Sequence, residues 1–170
     1  MNLYQLTVPQ FIRVIGQAQR WLDKAEAHAA AKKFDPETLL ASRLAPDMYP
    51  LLRQFQSISD TAKGNAARLA GITPPSFPDT EKTIAEIRAR LQKTVEFLES
   101  LKPEQFEGAE DRTITLSFLP GKGIKGCDYI AAFGLPNFYF HATTAYDILR
   151  HNGVDVGKMD FIGAAPFFDL

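Results

Sequence analysis

The chain has 170 residues, the size of one ordinary domain, and residues 1–170 are expected to form a single domain. Apolar residues make up 45% and charged residues 23%, values typical of a soluble globular protein. The formal net charge of -1 argues against a general nucleic-acid binder, because such proteins carry a basic excess. The single cysteine, Cys127, excludes an internal disulfide and a cysteine-pair zinc site, and it favours a reducing compartment.

Targeting and membrane segments are not evident in the sequence. Residues 1–8 lack the charged start and the long apolar stretch of a signal peptide. No apolar run approaches the ~18 residues that a membrane-spanning helix requires. We therefore expect a cytoplasmic protein whose partners include neither a membrane nor a nucleic acid.

Helical periodicity begins near the N-terminus. It predicts a first helix from about Val8 to Ala31, with Thr7 as its N-cap and Pro9 in its first turn. The apolar stripe of this helix consists of Phe11, Ile15, Ala18, Leu22 and Ala25. A shorter helical turn is predicted from Asp35 through Leu40, since an Asp-Pro pair starts it.

Two further amphipathic helices follow. The second is predicted over Met48–Ala70, with Asp47 as its N-cap and Gly71 at its C-terminal end. The third is predicted to be capped by Asp79 or Thr80. It carries a nearly strict heptad stripe of Ile84, Ile87, Leu91, Thr94, Leu98 and Leu101. Three amphipathic helices need a common apolar interface, which favours a helical bundle.

The pattern changes over residues 103–135. Alternating polar and apolar residues predict a strand over Thr113–Phe118. The glycine-rich segment Gly121–Gly126 lacks the Gly-Lys-Ser/Thr ending of a phosphate loop, so it indicates a hairpin turn or a crossing loop. One or two helical turns are expected over Cys127–Phe133.

A fourth bundle helix is predicted over Pro136–Asn152, because Asn152-Gly153 is a strong C-terminal stop. The apolar tail Phe161–Leu170 is expected to dock on the body or on a second copy. The predicted fold class is all-α: an up-down four-helix bundle with a short hairpin or irregular insertion between helices three and four.

His141 is the most informative polar residue, because it lies on the apolar stripe of the fourth helix. It is either a core histidine bonded to a neighbouring helix, or a metal ligand or general base. Asn137 lies four residues earlier on the same face, and Gln54 flanks the stripe of the second helix. Amides are poor ligands for zinc or nickel, so these three residues predict a polar pocket more readily than a tight metal site. Such a network can also serve only to specify the core.

Two carboxylates extend this set of candidates. Asp47 lies seven residues before Gln54, hence on nearly the same helical face. Asp60 lies six residues after Gln54, a rotation of ~240° that takes it off that face in a regular helix. The expected ligand-binding residues are Gln54, Asn137, His141, Asp47 and Tyr146. A metal ion, if bound, would use His141 with Gln54, Asn137 or Asp60.

The remaining reactive side chains are interpreted as structural. His28 lies near the end of the first helix, and His151 lies in the last turn of the fourth, where the helix dipole favours a cation. Cys127 has two lysines nearby in sequence but no histidine beside it, so a nucleophilic role is not expected.

Several segments together resemble one known family. They are Asn137–His141 (Asn-Phe-Tyr-Phe-His), Ala145-Tyr146, Ile148–Gly153, Asp23–His28, Arg43–Met48, Ala67–Gly71 and Gly157–Gly163. This set resembles the DinB/YfiT-like helical-bundle superfamily, in a branch of uncharacterised and mainly bacterial proteins, over nearly the whole chain.

The resemblance implies a four-helix bundle that often forms a homodimer. The superfamily includes thiol-dependent transferases and isomerases, and many members hold a divalent metal on three histidines. In this comparison His141 matches the later histidine of the last helix. Asn137 stands at the earlier position, and Gln54 stands at the position on the second helix.

Three functions are therefore considered. The first is a bundle that binds a small molecule in a polar pocket without a complete three-histidine metal site. The second is a metal-dependent thiol transferase or hydrolase using zinc, nickel or manganese, with His141 as a ligand. The third is a dimeric structural or interaction protein. Metal stoichiometry separates the first two, and a dimer interface above ~1,000 Å² supports the third.

Overall fold

The computed structural model describes residues 2–165 and 167–169. The helices are α1 Leu3–Lys32, α2 Leu51–Leu69, α3 Ile84–Ser100, α4 Gly126–Tyr129, α5 Leu135–His151 and α6 Lys158–Ile162. Two short 3₁₀ segments cover Pro36–Ala41 and Pro103–Phe106, and two strands, β1 and β2, cover Thr113–Thr115 and Gly123–Lys125. Among these described residues, no helix combines the length and the apolar character that crossing a lipid bilayer requires.

The helices α1, α2, α3 and α5 pack as a four-helix bundle, which confirms the predicted fold class. The predicted stripes on the first and third helices are buried, and so is the stripe on the second, which consists of Leu51, Phe55, Ile58, Ala62, Ala66 and Leu69. Large aromatic and aliphatic side chains fill the centre, among them Trp21, Tyr129, Phe11, Phe55, Phe106 and Phe138. Interdigitated stripes of this kind make burial of apolar surface the main stabilising contribution.

The predicted N-caps are wrong for all three of the first helices. The cap of α1 is Asn2, whose side chain accepts from the backbone of Gln5, so that helix starts five residues before the predicted Val8. Pro9 therefore lies inside the helix rather than in its first turn. Thr7 instead donates its hydroxyl to the Leu3 carbonyl. No side chain caps α2, and α3 is capped by a reciprocal box between Thr83 and Glu86.

The segment between α3 and α5 contains the predicted hairpin. Strands β1 and β2 pair antiparallel, with Ile114 opposite Ile124. The first strand ends at Thr115 rather than at the predicted Phe118, because the chain turns at Leu116, whose carbonyl accepts from the Leu119 amide at 2.9 Å.

Helices α4 and α5 are joined without a break by a π-helical turn over Ile130–Gly134. Pro136 lacks an N–H group, so it cannot continue the normal hydrogen-bond pattern, and the wider turn lies directly before it. The Gly134 carbonyl accepts from the Asn65 side-chain amide at 3.0 Å. A side chain at Gly134 would meet that amide at 3.1 Å, so glycine permits this close approach.

Part of the apolar tail docks on the body, which is one of the two positions predicted for it. The indole of Trp21 donates to the Asp160 carbonyl at 2.9 Å and stacks on Phe161, with ring centroids 5.5 Å apart. Farther along, Phe167 and Phe168 are 93% and 83% exposed. The expectation for Pro166 and Leu170 lies outside the described residues.

Candidate functional site

Helices α2 and α5 bring Gln54 and His141 together. The Nδ1 atom of His141 lies 2.8 Å from Oε1 of Gln54. Gln54 is buried, whereas His141 is only half-buried. The two residues that the resemblance aligns with metal-ligand positions on different helices therefore contact each other directly.

A second hydrogen bond fixes the direction of this contact. The Nε2 amide of Gln54 donates to the Tyr49 backbone carbonyl at 3.1 Å. A carbonyl can only accept, so the amide nitrogen of Gln54 faces Tyr49 and its oxygen faces His141. Nδ1 of His141 must then carry the proton, which leaves Nε2 as the nitrogen with the lone pair.

The surroundings keep this imidazole neutral. Burial lowers the pKa of His141, and the guanidinium of Arg53 lowers that pKa further by charge repulsion. Arg53 also lies over the ring of Tyr49, with its guanidinium carbon 5.8 Å from the ring centre. At neutral pH the imidazole therefore offers an acceptor rather than a positive charge.

An open cavity of about 250 Å³ adjoins the imidazole. Its walls are Asp47, Met48, Tyr49, Gln54, Phe140 and His141. Tyr49 and Phe140 are 54% and 55% exposed, so two aromatic rings line an entrance that is open to solvent. The arrangement suits a small ligand that donates one hydrogen bond and covers apolar surface.

Not every predicted site residue reaches this cavity. Gln54, His141 and Asp47 line it, whereas Asn137 is half-buried one turn earlier on α5 and is not among its described walls. Tyr146 lies elsewhere: its hydroxyl donates to the Val156 carbonyl at 3.2 Å, and its ring packs against Trp21. A ligand role for any of these residues stays a prediction.

Asp60 is engaged in a different cluster. Its carboxylate lies 2.6 Å from Arg90 and 2.7 Å from Lys63. Asp60 therefore does not lie next to His141. This agrees with the rotation of ~240° along the helix, which directs Asp60 away from the face of Gln54.

The donor set does not fit the metal that the resemblance implies. One imidazole is present, and the Gln54 amide oxygen already accepts the proton of that imidazole. Zinc and nickel prefer imidazole, thiolate and carboxylate ligands. Within residues 2–165 and 167–169, no three His, Cys, Asp or Glu side chains are placed to hold one ion.

Three walls of the cavity were not predicted as site residues: Met48, Tyr49 and Phe140. A signal for Tyr49 was present, because Pro50 restrains the preceding residue to an extended conformation. Helix α2 therefore begins at Leu51, and the Tyr49 carbonyl is left for the Gln54 side chain. Phe140 precedes His141 on α5, and the ~100° step between neighbours places it at the rim.

A second polar cluster surrounds Arg90, which the sequence interpretation also missed. Its buried guanidinium bonds Asp60 at 2.6 Å, Asp79 at 3.0 Å and Glu81 at 3.0 Å. Burial alone would raise the pKa of Glu81, but hydrogen bonds from Gln56 and Arg90 outweigh burial and lower that pKa. We call Arg90 with these three carboxylates the Arg90 cluster. A charge this deeply buried persists because it is paired.

The other singled-out residues stand apart from the cavity. His28 packs edge-on against Phe34, with ring centres 5.7 Å apart, and His151 is exposed at the end of α5. Cys127 is exposed at the start of α4. The segment Gly121–Lys125 belongs to the hairpin rather than to a phosphate-binding turn, and Gly126 begins α4.

The profile of a domain of unknown function, DUF1993, matches residues 3–162. The chain is also similar to a DinB family member protein from Shewanella denitrificans, known from a crystal structure. The two share 44% sequence identity with a TM-score of 0.95, over 99% of this chain and 96% of that chain. No curated protein matches this sequence.

Proposed function

This chain belongs to the DUF1993 family of DinB-like helical bundles, and on that premise we propose that it binds a small polar molecule beside His141. The proposed binding needs no three-histidine metal site. Gln54 and Tyr49 hold the imidazole in one tautomer, and Asp47, Tyr49 and Phe140 form the walls.

The orientation of the imidazole carries this proposal. Because Nδ1 donates to Gln54, Nε2 is left as an acceptor, and the lowered pKa keeps it unprotonated at neutral pH. A ligand with a hydroxyl, amide or amine donor would complete this hydrogen bond. A histidine that served only the core would not need to line an open cavity, as His141 does.

The size and walls of the cavity narrow the ligand class. A volume of about 250 Å³ is just below the ~300 Å³ at which ordinary ligand pockets begin, so the ligand is small. The rings of Tyr49 and Phe140 can cover an apolar part of it. Asp47 adds a carboxylate at the same cavity, which favours a ligand with a second donor over one with a carboxylate.

A comparison of two histidine variants tests the proposal. A panel of small alcohols, amides and amines is screened by thermal shift on the wild type, His141→Ala and His151→Ala. We expect compounds that raise Tm in the wild type and in His151→Ala but not in His141→Ala, since a bound ligand stabilises the folded state. His151 is the matched control, because it is exposed at the end of the same helix. Equal shifts in all three proteins would refute a role for His141 in binding.

The metal-dependent alternative can be tested on the same proteins. Metal content is measured on protein without a histidine tag, before and after zinc, nickel or manganese is added. One imidazole and one amide should give only weak and exchangeable binding. Stoichiometric metal that is lost in His141→Ala would contradict the proposal and support a metalloenzyme.

We also propose the homodimer that the resemblance implies, in the cytoplasm. Large exposed apolar side chains support a contact surface, among them Phe118, Met159, Phe167 and Phe168. Size-exclusion chromatography with light scattering gives the mass in solution. A mass equal to one chain at micromolar concentration would contradict the dimer.

A further inference from the structure

Two further cavities lie at the hairpin, and neither shares a wall with the cavity of His141. The smaller has a volume of about 290 Å³. Its apolar walls are Ile114, Leu116, Leu119, Ile124, Tyr129 and Phe133. The rings of Tyr129 and Phe133 both line the cavity and stack with their centres 6.0 Å apart. Apolar enclosure of this kind favours a hydrocarbon chain or ring.

The larger cavity, of about 710 Å³, is cationic. Arg68, Arg112 and Lys122 line it. Within the described part of the chain, the walls of the two cavities contain no Asp or Glu side chain. Three positive charges without a carboxylate among them favour an anion.

The charge of Arg112 is held in place without being neutralised. Its guanidinium donates to the backbone carbonyls of Leu69, Gln105 and Glu107. Carbonyl groups fix the position of a guanidinium but carry no net charge to cancel it. The positive end of the larger cavity is therefore preformed.

The two cavities are neighbours. They share the walls Ile114, Leu116, Leu119 and Lys122. Tyr129 joins them as well, because its ring lines the smaller cavity and its hydroxyl accepts a bond at 3.4 Å from Arg68, a wall of the larger. One molecule can therefore contact both, with an apolar part in one and a charged part in the other.

We propose that the two cavities form one binding site for a small amphipathic carboxylate. Its hydrocarbon part occupies the smaller cavity, and its carboxylate binds Lys122 at the shared wall. Arg68 and Arg112, on the walls of the larger cavity, add positive charge near the carboxylate. This site is separate from the cavity of His141, so it adds to the proposed function and does not depend on it.

Decanoate is a suitable probe, with 1-decanol as its uncharged counterpart. Binding is measured by displacement of anilinonaphthalene sulfonate, itself an aromatic anion, below the micelle concentration of decanoate. We expect decanoate to displace the dye at much lower concentration than 1-decanol. Octanoate should bind roughly tenfold more weakly than decanoate, because two fewer methylenes are buried.

Three variants locate the site. Lys122→Gln should weaken decanoate binding about fivefold, whereas Lys32→Gln, at an exposed lysine at the end of α1, should not change it. Leu119→Asp places a carboxylate in the wall shared by both cavities and should abolish decanoate binding. Leu119 is 45% exposed, so this variant should still fold, which circular dichroism verifies.

Two results would overturn this proposal. One is decanoate binding that is unchanged in both Lys122→Gln and Leu119→Asp. The other is loss of decanoate binding in His141→Ala, which would assign the probe to the other cavity. Should Leu119→Asp fail to fold, Lys122→Gln against Lys32→Gln still decides the question.

Discussion

Helix α2 carries polar side chains into two regions of the bundle, and the two regions differ in the charge of the partners that these side chains meet. In the Arg90 cluster a buried cation meets three carboxylates, two of them on the segment before α3. Beside the cavity, a neutral amide meets a neutral imidazole, and one ring nitrogen is left as an acceptor. Arg53 connects the two regions, since it pairs with Asp79 and lowers the pKa of His141.

The difference indicates which polar group can bind something else. Charges that pair with one another inside the protein stabilise a particular arrangement of helices. In the Arg90 cluster both terminal guanidinium nitrogens are paired with carboxylates, and the Nε atom of Arg90 is buried without a hydrogen-bond partner among the described residues. The pair of Gln54 and His141 is neutral, so its burial has a small free-energy cost. Nε2 of His141 is left as a hydrogen-bond acceptor for a ligand. Substitutions in the Arg90 cluster should therefore change stability, and substitutions beside the cavity should change ligand binding.

The largest effect is expected from Arg90→Met. The change leaves Asp60, Asp79 and Glu81 without their shared cation, which should lower the free energy of unfolding by about 3 kcal/mol. The estimate is at the low end for a buried pair because the side chains of Asp60 and Asp79 are 35% and 38% exposed. Urea unfolding measures the change.

Arg88→Met is the matched control for that variant. Arg88 lies on the same helix and pairs with Asp23 at 2.7 Å and Glu26 at 2.6 Å, but at the surface. Its loss should cost less than about 1 kcal/mol. Similar losses in both variants would show that the Arg90 cluster is no more stabilising than a surface pair.

A smaller loss is expected from Gln54→Leu. The change removes the acceptor for Nδ1 of His141 and the donor to Tyr49, and it should cost about 1–2 kcal/mol. The ¹⁵N shifts of the imidazole should also show that the Nδ1–H tautomer is no longer enforced. Gln92→Leu, at an exposed glutamine of α3, should stay within about 0.5 kcal/mol of the wild type.

A pH dependence should separate the two regions. The folded protein holds the pKa of His141 below its ordinary value of 6.5, so the unfolded chain binds more protons as pH falls through that value. The free energy of unfolding should therefore decrease from pH 6.5 down to the lowered pKa, and His141→Gln should lose this slope. Urea unfolding at a series of pH values measures it. A slope that persists in the variant would assign it to another group.

The carboxylates of the Arg90 cluster act in a lower pH range. The folded pKa of Asp79 lies below its ordinary 3.8, and that of Glu81 lies below 4.5. Their contribution to stability is fully present above those values and is lost as pH falls through the lowered pKa. Two separate pH ranges are thus expected, and Arg90→Met should weaken only the lower one, because Arg53 still pairs with Asp79 and Gln56 still bonds Glu81.

The smallest effect on stability is expected from Asp47→Asn. Asp47 is an exposed wall of the cavity, so the free energy of unfolding should change by less than about 0.5 kcal/mol. Ligands with two donors should nevertheless bind more weakly in a thermal-shift titration. A large loss of stability would instead give Asp47 a structural role.

The bundle itself could be predicted from periodicity. Apolar stripes repeat at helical spacing on α1, α2 and α3, and burial of those stripes decides the packing. The N-caps were harder to predict. The observed caps Asn2 and Thr83 and the predicted caps Thr7, Asp47, Asp79 and Thr80 all have side chains that can cap a helix. Which of them caps a helix depends on where tertiary packing lets that helix begin.

The candidate site was predictable only in part. Spacing along one helix shows that Asn137 and His141 share a face, and helical rotation separates Asp60 from Gln54. Spacing cannot show which side chain of another helix will lie opposite, so the tautomer of His141 and the wall formed by Phe140 needed the structure. Arg90 was missed because a buried arginine is recognisable only once its partners on other segments are known.

The π-helical turn over Ile130–Gly134 has a consequence for sequence alignment. A turn with i→i+5 bonds holds one residue more than an α-helical turn, and each residue in a helix corresponds to ~100° of rotation. Deleting one residue there would convert the wide turn into an ordinary α-helical turn, so Tyr129 would stay beside Asn65 and His141 would stay opposite Gln54. Relatives that lack the wide turn should therefore show a single-residue gap between these two positions.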